Sequence, residues 1–181
     1  MVKSQAKNIE VEVRSFISKS QYYNLLKYFK KQGKFLGRDC QITYYFSGKS
    51  DLRTQKNKNL AKLWLKGGRI HDNHRKEIEI RFNRKDFDKL EELLITLGYK
   101  VEIKWFRTRN DFLWKGTKVA VDYTKGYGYI IELERMVGPR NKNRVYQKLL
   151  EQLNQLKINL TPKKEFEQKF RYYKRNWPSL I

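Results

Sequence analysis

The sequence predicts an α+β fold, an eight-stranded antiparallel sheet rolled into a β-barrel with helices packed on the outside. Three observations lead there. Eight short stretches alternate polar with apolar residues between Gly, Asn, Asp or charged turn residues, which is the period-two signature of half-buried strands. Four other segments place apolar residues at helical spacing. Several strands keep charges on one parity and apolar side chains on the other, so apolar helix stripes covering the outside of a rolled sheet leave the charged faces pointing inward.

The strands fall at Ile9–Phe16, Gln41–Phe46, Ser50–Gln55, Leu60–Lys66, Lys76–Phe82, Lys100–Phe112, Lys118–Tyr123 and Tyr129–Met136. The first helix runs from Ser18 to Gly33, with Tyr22, Leu25, Leu26 and Phe29 at helical spacing between a capping Ser and a terminating Gly. A second occupies Lys85 to Leu97, with Phe87, Leu90, Leu93, Leu94 and Leu97 on one face and Gly98 as its stop. A third follows the Gly138-Pro139 break and uses Val145, Leu149, Leu150, Leu153 and Leu156. Thr161-Pro162 opens a last helix rich in aromatics, Thr as cap and Pro in the first turn being a favoured start. No repeat or linker interrupts the chain, so residues 1–181 are expected to form a single domain.

Composition narrows the class. The 181 residues carry 41 Lys plus Arg against 19 Asp plus Glu, a formal charge of +22, so the molecule attracts polyanions. At 39% hydrophobic and 14% aromatic residues it has enough material for a core, which excludes a disordered basic tail. The one cysteine, Cys40, excludes a disulfide scaffold and reads as a small buried residue. With no secretory signal in Met1 to Glu10 and no long apolar run, the expectation is a cytoplasmic protein without membrane association.

In so basic a chain, clustered carboxylates need a reason. Residues two apart on a strand share a face, so Glu10/Glu12, Glu77/Glu79 and Glu132/Glu134 each present two carboxylates to one side, with Val11, Val13, Ile78, Ile80 and Leu133 opposite. Any one of these polar faces, taken alone, reads as a solvated sheet surface. Basic residues repeat the pattern at Arg53, Lys62, Lys66, Arg107 and Arg109. Brought together inside a rolled sheet, the carboxylates repel one another and so do the cations. A hard divalent cation with a polyphosphate satisfies both sets, because Mg²⁺ is held by a few carboxylates plus phosphate oxygens while Arg and Lys grip the rest.

The ordered motifs resemble one family. Glu10-Val-Glu12-Val-Arg14 resembles the N-terminal Glu-X-Glu-X-Lys signature of the CYTH superfamily, the triphosphate tunnel metalloenzymes. That superfamily includes class IV adenylyl cyclases, thiamine triphosphatases and inorganic tripolyphosphatases. Asp51-Leu-Arg53, Leu65-Lys66, Arg75-Lys-Glu77-Ile-Glu79, Arg107-Thr-Arg109 and the run from Asp122 through Gly126-Tyr-Gly128 to Glu132-Leu-Glu134 follow in the family's order. Lys164 and Phe166 fall where the family's C-terminal helix returns a Lys and an aromatic to the tunnel.

The resemblance implies an eight-stranded triphosphate tunnel and a metal-dependent hydrolase of inorganic tripolyphosphate, thiamine triphosphate or a nucleoside triphosphate. Glu10, Glu12, Asp122, Glu132 and Glu134 would bind Mg²⁺ or Mn²⁺. Arg14, Arg53, Lys66, Arg107, Arg109 and Lys164 would bind triphosphate oxygens. Glu10, Glu12, Glu77, Glu79 and Lys66 are the expected catalytic residues, Glu77 and Glu79 orienting cations or water. Lys62 and Lys104 read equally as solvated strand charges. A monomer or homodimer is expected.

Three departures from the family pattern stand out, the first two bearing on the grip on phosphate and the last counting against a cyclase. Arg14 replaces a Lys, exchanging a point donor for a planar fork. Gln55 stands in place of a second Arg. Ser4 and Gln5 occupy the positions of a His-Phe pair found in bacterial class IV cyclases. A class IV-type cyclase making cyclic AMP and pyrophosphate is therefore the second reading. A noncatalytic module for polyphosphate or RNA 5′-triphosphate, motivated by the +22 charge, is the third.

Other features read more plainly. His71 and His74 belong to a hairpin loop rather than a metal pair. Gly126-Tyr-Gly128 leads into a strand and not a helix, which excludes a dinucleotide loop. Trp64, sharing its face with Lys62 and Lys66, could floor a base or thiamine ring or simply pack at the tunnel mouth.

Overall fold

A computed structural model of the chain describes residues 9–66 and 77–181, and of Lys66 and Glu77 the backbone only. Arg75, His71 and His74, like Ser4 and Gln5, lie outside the described residues. Eight strands form one antiparallel sheet: β1 (Ile9–Ile17), β2 (Lys34–Phe46), β3 (Asp51–Lys56), β4 (Ala61–Lys66), β5 (Glu77–Phe82), β6 (Val101–Trp114), β7 (Thr117–Thr124) and β8 (Gly128–Val137). Their hydrogen-bonded order is β1-β8-β7-β6-β2-β3-β4-β5. The α+β class and the eight antiparallel strands are as the sequence predicts. Among the described residues no ladder joins β1 to β5, so hydrogen bonds do not close the sheet.

Four helices accompany the strands: α1 (Lys19–Gln32), α2 (Phe87–Thr96), α3 (Lys142–Gln155) and α4 (Lys163–Leu180). The chain packs as two compact units. One comprises residues up to Gly37, Asn110–Asp122 and Tyr129–Pro162; the other comprises Arg38–Arg109, Tyr123–Gly128 and Lys163–Ile181.

In the first unit, α1 begins where the sequence says it should. Ser18 Oγ accepts from Gln21 N–H at 3.1 Å while Gln21 Oε1 accepts from Ser18 N–H at 2.8 Å, a reciprocal capping box. It ends at Gly33, where a Cβ would lie 3.1 Å from the carbonyl oxygens of both Leu113 and Phe29, so the close approach itself selects glycine. Tyr22, Leu25 and Phe29 are buried, Phe29 against Phe112 and Trp114. On β1, Val11, Val13 and Ile17 are buried and α3 lies against the strand with Leu149 and Leu153 in the core. Thr161, the expected cap of the last helix, has its hydroxyl on β1: it accepts from Phe16 N–H at 2.9 Å, while Ser15 Oγ accepts from Thr161 N–H at 3.0 Å.

In the second unit, β2 to β5 form a meander, Arg53 facing Tyr45 on one side and Trp64 on the other, and Trp64 in turn facing Glu79. One sheet face carries the apolar core, where Tyr44, Phe46 and Ala61 meet Phe87 and Leu94 of α2. The opposite face carries Tyr45, Arg53, Lys62, Trp64 and Glu79. Here α4 differs from the expectation that helices cover only apolar faces: Phe170 packs on Tyr45 (6.0 Å between ring centroids), and Tyr173 packs on Trp105 (5.0 Å). Tyr173 also donates to the Lys104 carbonyl, and Trp177 Nε1 donates to that of Glu102.

Other differences have simple causes. β2 starts seven residues earlier than predicted because its first half is a mostly exposed strand held by pairing rather than burial, so no alternation marks it. Ile78 and Ile80, expected on a covered apolar face, are exposed because β5 is the edge strand and α2 covers its inner neighbours; Leu93 of α2 and Leu97 just past its end are exposed as well. Cys40 is exposed rather than buried.

Candidate functional site

The predicted metal-binding carboxylates all belong to the first unit. β1 and β8 pair with Glu12 opposite Glu134 and Arg14 opposite Glu132, so the even-numbered residues share one face and Val11, Val13, Ile131 and Leu133 fill the core on the other. The Glu12 and Glu132 carboxyl groups are hydrogen-bonded to each other across the ladder. Burial first, then the Glu132 charge, push Glu12 up to about 8, against the opposing pull of Arg14; Glu10 adds a smaller push. Glu10 itself is exposed.

On β7, Asp122 is buried on the same parity as Lys118, and Lys118 Nζ meets Glu134 Oε1 at 2.6 Å. Sequence reasoning missed Lys118, although it stands four residues before Asp122 and so must share its strand face.

Among the described residues no three His, Cys, Asp or Glu side chains already converge as a ligand set. The donor chemistry nevertheless fits a hard divalent cation. Glu12, Glu132 and their neighbours offer oxygen only, and two half-buried carboxyl groups close enough to share a proton would hold a dication in its place.

The predicted phosphate-binding cations other than Arg14 belong to the second unit. Arg53 is gripped by Asp51, Nε to Oδ1 at 2.6 Å and Nη2 to Oδ2 at 2.5 Å, while its guanidinium lies 4.2 Å from the Tyr45 ring centroid. Arg107 donates twice to Gln41 Oε1, which also accepts from Gln55 Nε2 at 3.3 Å. Gln55, the departure from the family pattern, thus helps hold the residue that aims Arg107, and is itself buried on Thr43. Asp51 lies two residues from Arg53 on β3, so strand parity could have found it, whereas Gln41 meets Arg107 only through the fold.

Arg109 is half-buried on β6. The Lys66 and Glu77 backbones face each other across the β4–β5 ladder. Glu79 accepts from Arg81 at 2.8 Å and Lys62 at 3.0 Å, and these hydrogen bonds hold it below the usual carboxylate range. Trp64 is buried with Lys62 Nζ 4.0 Å from its ring centroid, so it packs between cations rather than offering a bare platform. Lys104 reaches Glu91 and the Tyr44 ring.

Lys164 is exposed on α4. The half-buried lysine of that helix is Lys169, whose Nζ lies 5.6 Å from the Tyr127 ring centroid and whose ammonium pKa is lowered by burial. It shares a helical face with Phe166, Phe170 and Tyr173, a spacing legible in the sequence; Lys164 points away from that face.

The sequence matches the CYTH domain family over residues 8–170. Solved structures share the fold. A protein from Pyrococcus horikoshii is 24% identical with a TM-score of 0.67, the match covering 83% of this chain and 92% of that one. A candidate adenylate cyclase from Vibrio parahaemolyticus is 15% identical with a TM-score of 0.65, covering 91% and 99%. HpAC1 from Hippeastrum, a candidate adenylyl cyclase with a dominant triphosphatase activity, is 17% identical with a TM-score of 0.63, covering 84% and 89%. No curated protein matches the sequence. No helix among the described residues is long and apolar enough to cross a membrane.

Proposed function

Since this chain belongs to the CYTH domain family, we propose that it is a metal-dependent hydrolase of a triphosphate-containing substrate: inorganic tripolyphosphate, thiamine triphosphate or a nucleoside triphosphate. The observation that carries this reading is the Glu12–Glu132 carboxyl pair, with Glu12 pushed up to about 8. Two carboxyl groups held this close on one strand face, where burial and mutual repulsion favour a proton even beside Arg14, form an all-oxygen donor set from which a divalent metal can displace that proton.

In this proposal Glu12 and Glu132, with Glu10, Asp122 and Glu134, hold Mg²⁺ or Mn²⁺. The metal, when bound, supplies charge neutralisation at the phosphoryl oxygens and lowers the pKa of bound water. Glu12 gives up its proton as the site loads. Arg14, Arg53, Lys66, Arg107 and Arg109 bind phosphate oxygens, with Lys169 rather than Lys164 as the contribution of α4. Asp51 fixes the plane of the Arg53 fork and Gln41 that of Arg107, so both guanidinium groups are oriented before substrate arrives. Glu77 and Glu79 orient cations or water. Positioning and charge neutralisation suffice for phosphoryl transfer without a covalent nucleophile.

The test is product analysis with tripolyphosphate, thiamine triphosphate, ATP and 5′-triphosphorylated RNA, each with Mg²⁺ or Mn²⁺, comparing the wild type with Glu132→Ala. Metal-dependent orthophosphate release that the folded variant loses supports the proposal. Cyclic AMP with pyrophosphate would replace it by the cyclase reading. Tight polyanion binding without turnover would replace it by a binding module.

A further inference from the structure

We propose that the outer face of α1, with the first residues of β2, is a docking surface for single-stranded nucleic acid, its bases stacking on exposed aromatic rings and its phosphates lying on lysines. The inference is independent of the triphosphatase reading. It rests on which side chains of α1 the core leaves outside. Tyr22, Leu25 and Phe29 are buried. Tyr23 is 51% exposed, its ring set edge-on against that of Tyr22 at 5.3 Å between centroids, so its orientation is held while one side stays open.

Lys19 and Lys27 stand one turn to either side of Tyr23, and Lys30 and Lys31 continue the same stripe. Between Arg14 and Asp39 the sequence contains six cations and no carboxylate, so nothing in this segment neutralises the stripe. Two further rings stand out from the same segment: Tyr28, 40% exposed and edge-on to Trp114, and Phe35, 50% exposed and packed on Phe112. Each is propped from behind by the aromatic core and open in front.

Rings held rigid among lysines suit stacked bases and a phosphate chain, a combination that tolerates any sequence. A membrane surface is the poorer fit, because an interfacial helix inserts its apolar stripe and that of α1 is already buried in the core.

The test is fluorescence anisotropy with a labelled oligouridylate dodecamer bearing a 5′-hydroxyl, so that no triphosphate site contributes. Tyr23→Leu is expected to weaken binding by about fivefold or more, and Tyr23→Phe to leave it unchanged. The triple change Lys27→Gln, Lys30→Gln and Lys31→Gln is expected to flatten the slope of log K against log salt by about 2. A duplex of the same length should bind more weakly than the single strand. The proposal is overturned if Tyr23→Leu, shown folded by circular dichroism, binds as the wild type does. It is equally overturned if Lys142→Gln, Arg144→Gln and Lys148→Gln on α3 flatten the slope as much as the α1 triple, or if phosphatidylserine vesicles bind where the oligonucleotide does not. The α1 triple, changed at three exposed positions, keeps the test decisive should Tyr23→Leu fail to fold.

Discussion

Glu12 and Glu132 lie on neighbouring antiparallel strands, one diagonal step apart, and their carboxyl groups are hydrogen-bonded to each other. One proton therefore sits between two groups that would both be ionised in water at neutral pH.

Metal binding should expel that proton. Below about pH 8 the apparent affinity for Mg²⁺ or Mn²⁺ is expected to rise with pH by about one log unit per unit, then flatten above it. Calorimetric titrations at pH 7 in buffers of different ionisation enthalpy should report the release of about one proton, and Glu12→Gln should abolish it. A pH-independent affinity would remove the pair from the metal site.

The same pair makes the metal-free protein sensitive to pH in a defined direction. Glu12 has a folded-state pKa raised from 4.5 to about 8, so the contribution of its protonated form to stability is fully present below 4.5 and is lost as pH climbs through 8. Thermal melts in chelator at pH 5, 6.5 and 8 should show Glu12→Gln gaining on the wild type as pH rises.

Asp51 and Arg53 are both largely buried and doubly bonded. Asp51→Ala should destabilise the fold by about 3 kcal/mol, because it strips a buried guanidinium of its main counter-charge. Added tripolyphosphate should then raise Tm more in the variant than in the wild type, since phosphate oxygens can replace the lost carboxylate. Equal shifts would mean that Arg53 does not meet the substrate.

Lys169→Ala should raise KM for a triphosphate substrate by tenfold or more, whereas Lys164→Ala should change it by less than twofold. The difference follows from the half-buried setting of Lys169 against Tyr127 and the exposure of Lys164. Steady-state kinetics on the two variants would decide between them.

Gly126 occupies the β7–β8 turn at φ +72°, where a Cβ would stand 2.6 Å from Leu180 Cβ. Gly126→Ala should therefore lower stability by about 2 kcal/mol, combining left-handed strain with that clash. Ending the chain after Ser179 should recover the part due to the clash, as read by chemical denaturation.

The alternation that marks β1 and β8 is legible in the sequence because each strand has one buried face, and that alternation alone puts Glu10 with Glu12, and Glu132 with Glu134, on a shared side. The α1 boundaries are legible for a local reason too, a capping Ser at one end and a terminating Gly at the other. What the sequence hides is the partner that a charge finds on another strand. That Arg107 belongs to Gln41 and Glu134 to Lys118 depends on strand order and register, which no single stretch encodes, whereas Asp51 and Arg53 stand two apart on β3 and their pairing lies within reach of strand parity. On α4 a motif position points to Lys164, whereas the helical face that Phe166, Phe170 and Tyr173 define holds Lys169.

The clasp between β1 and the segment leading into α4 joins residues 146 positions apart, Ser15 and Thr161. A ribosome delivers β1 first, yet β8, the neighbour with which it forms its ladder, and the threonine that locks it emerge more than a hundred residues later. During synthesis β1 is thus an unsatisfied strand waiting for its partner, the state in which nascent chains recruit chaperones or misassociate. Glu12 and Glu132 meet only when that wait ends, so the carboxyl pair is itself a marker of completed folding: refolding followed through metal uptake should lag behind refolding followed through the local structure of α1.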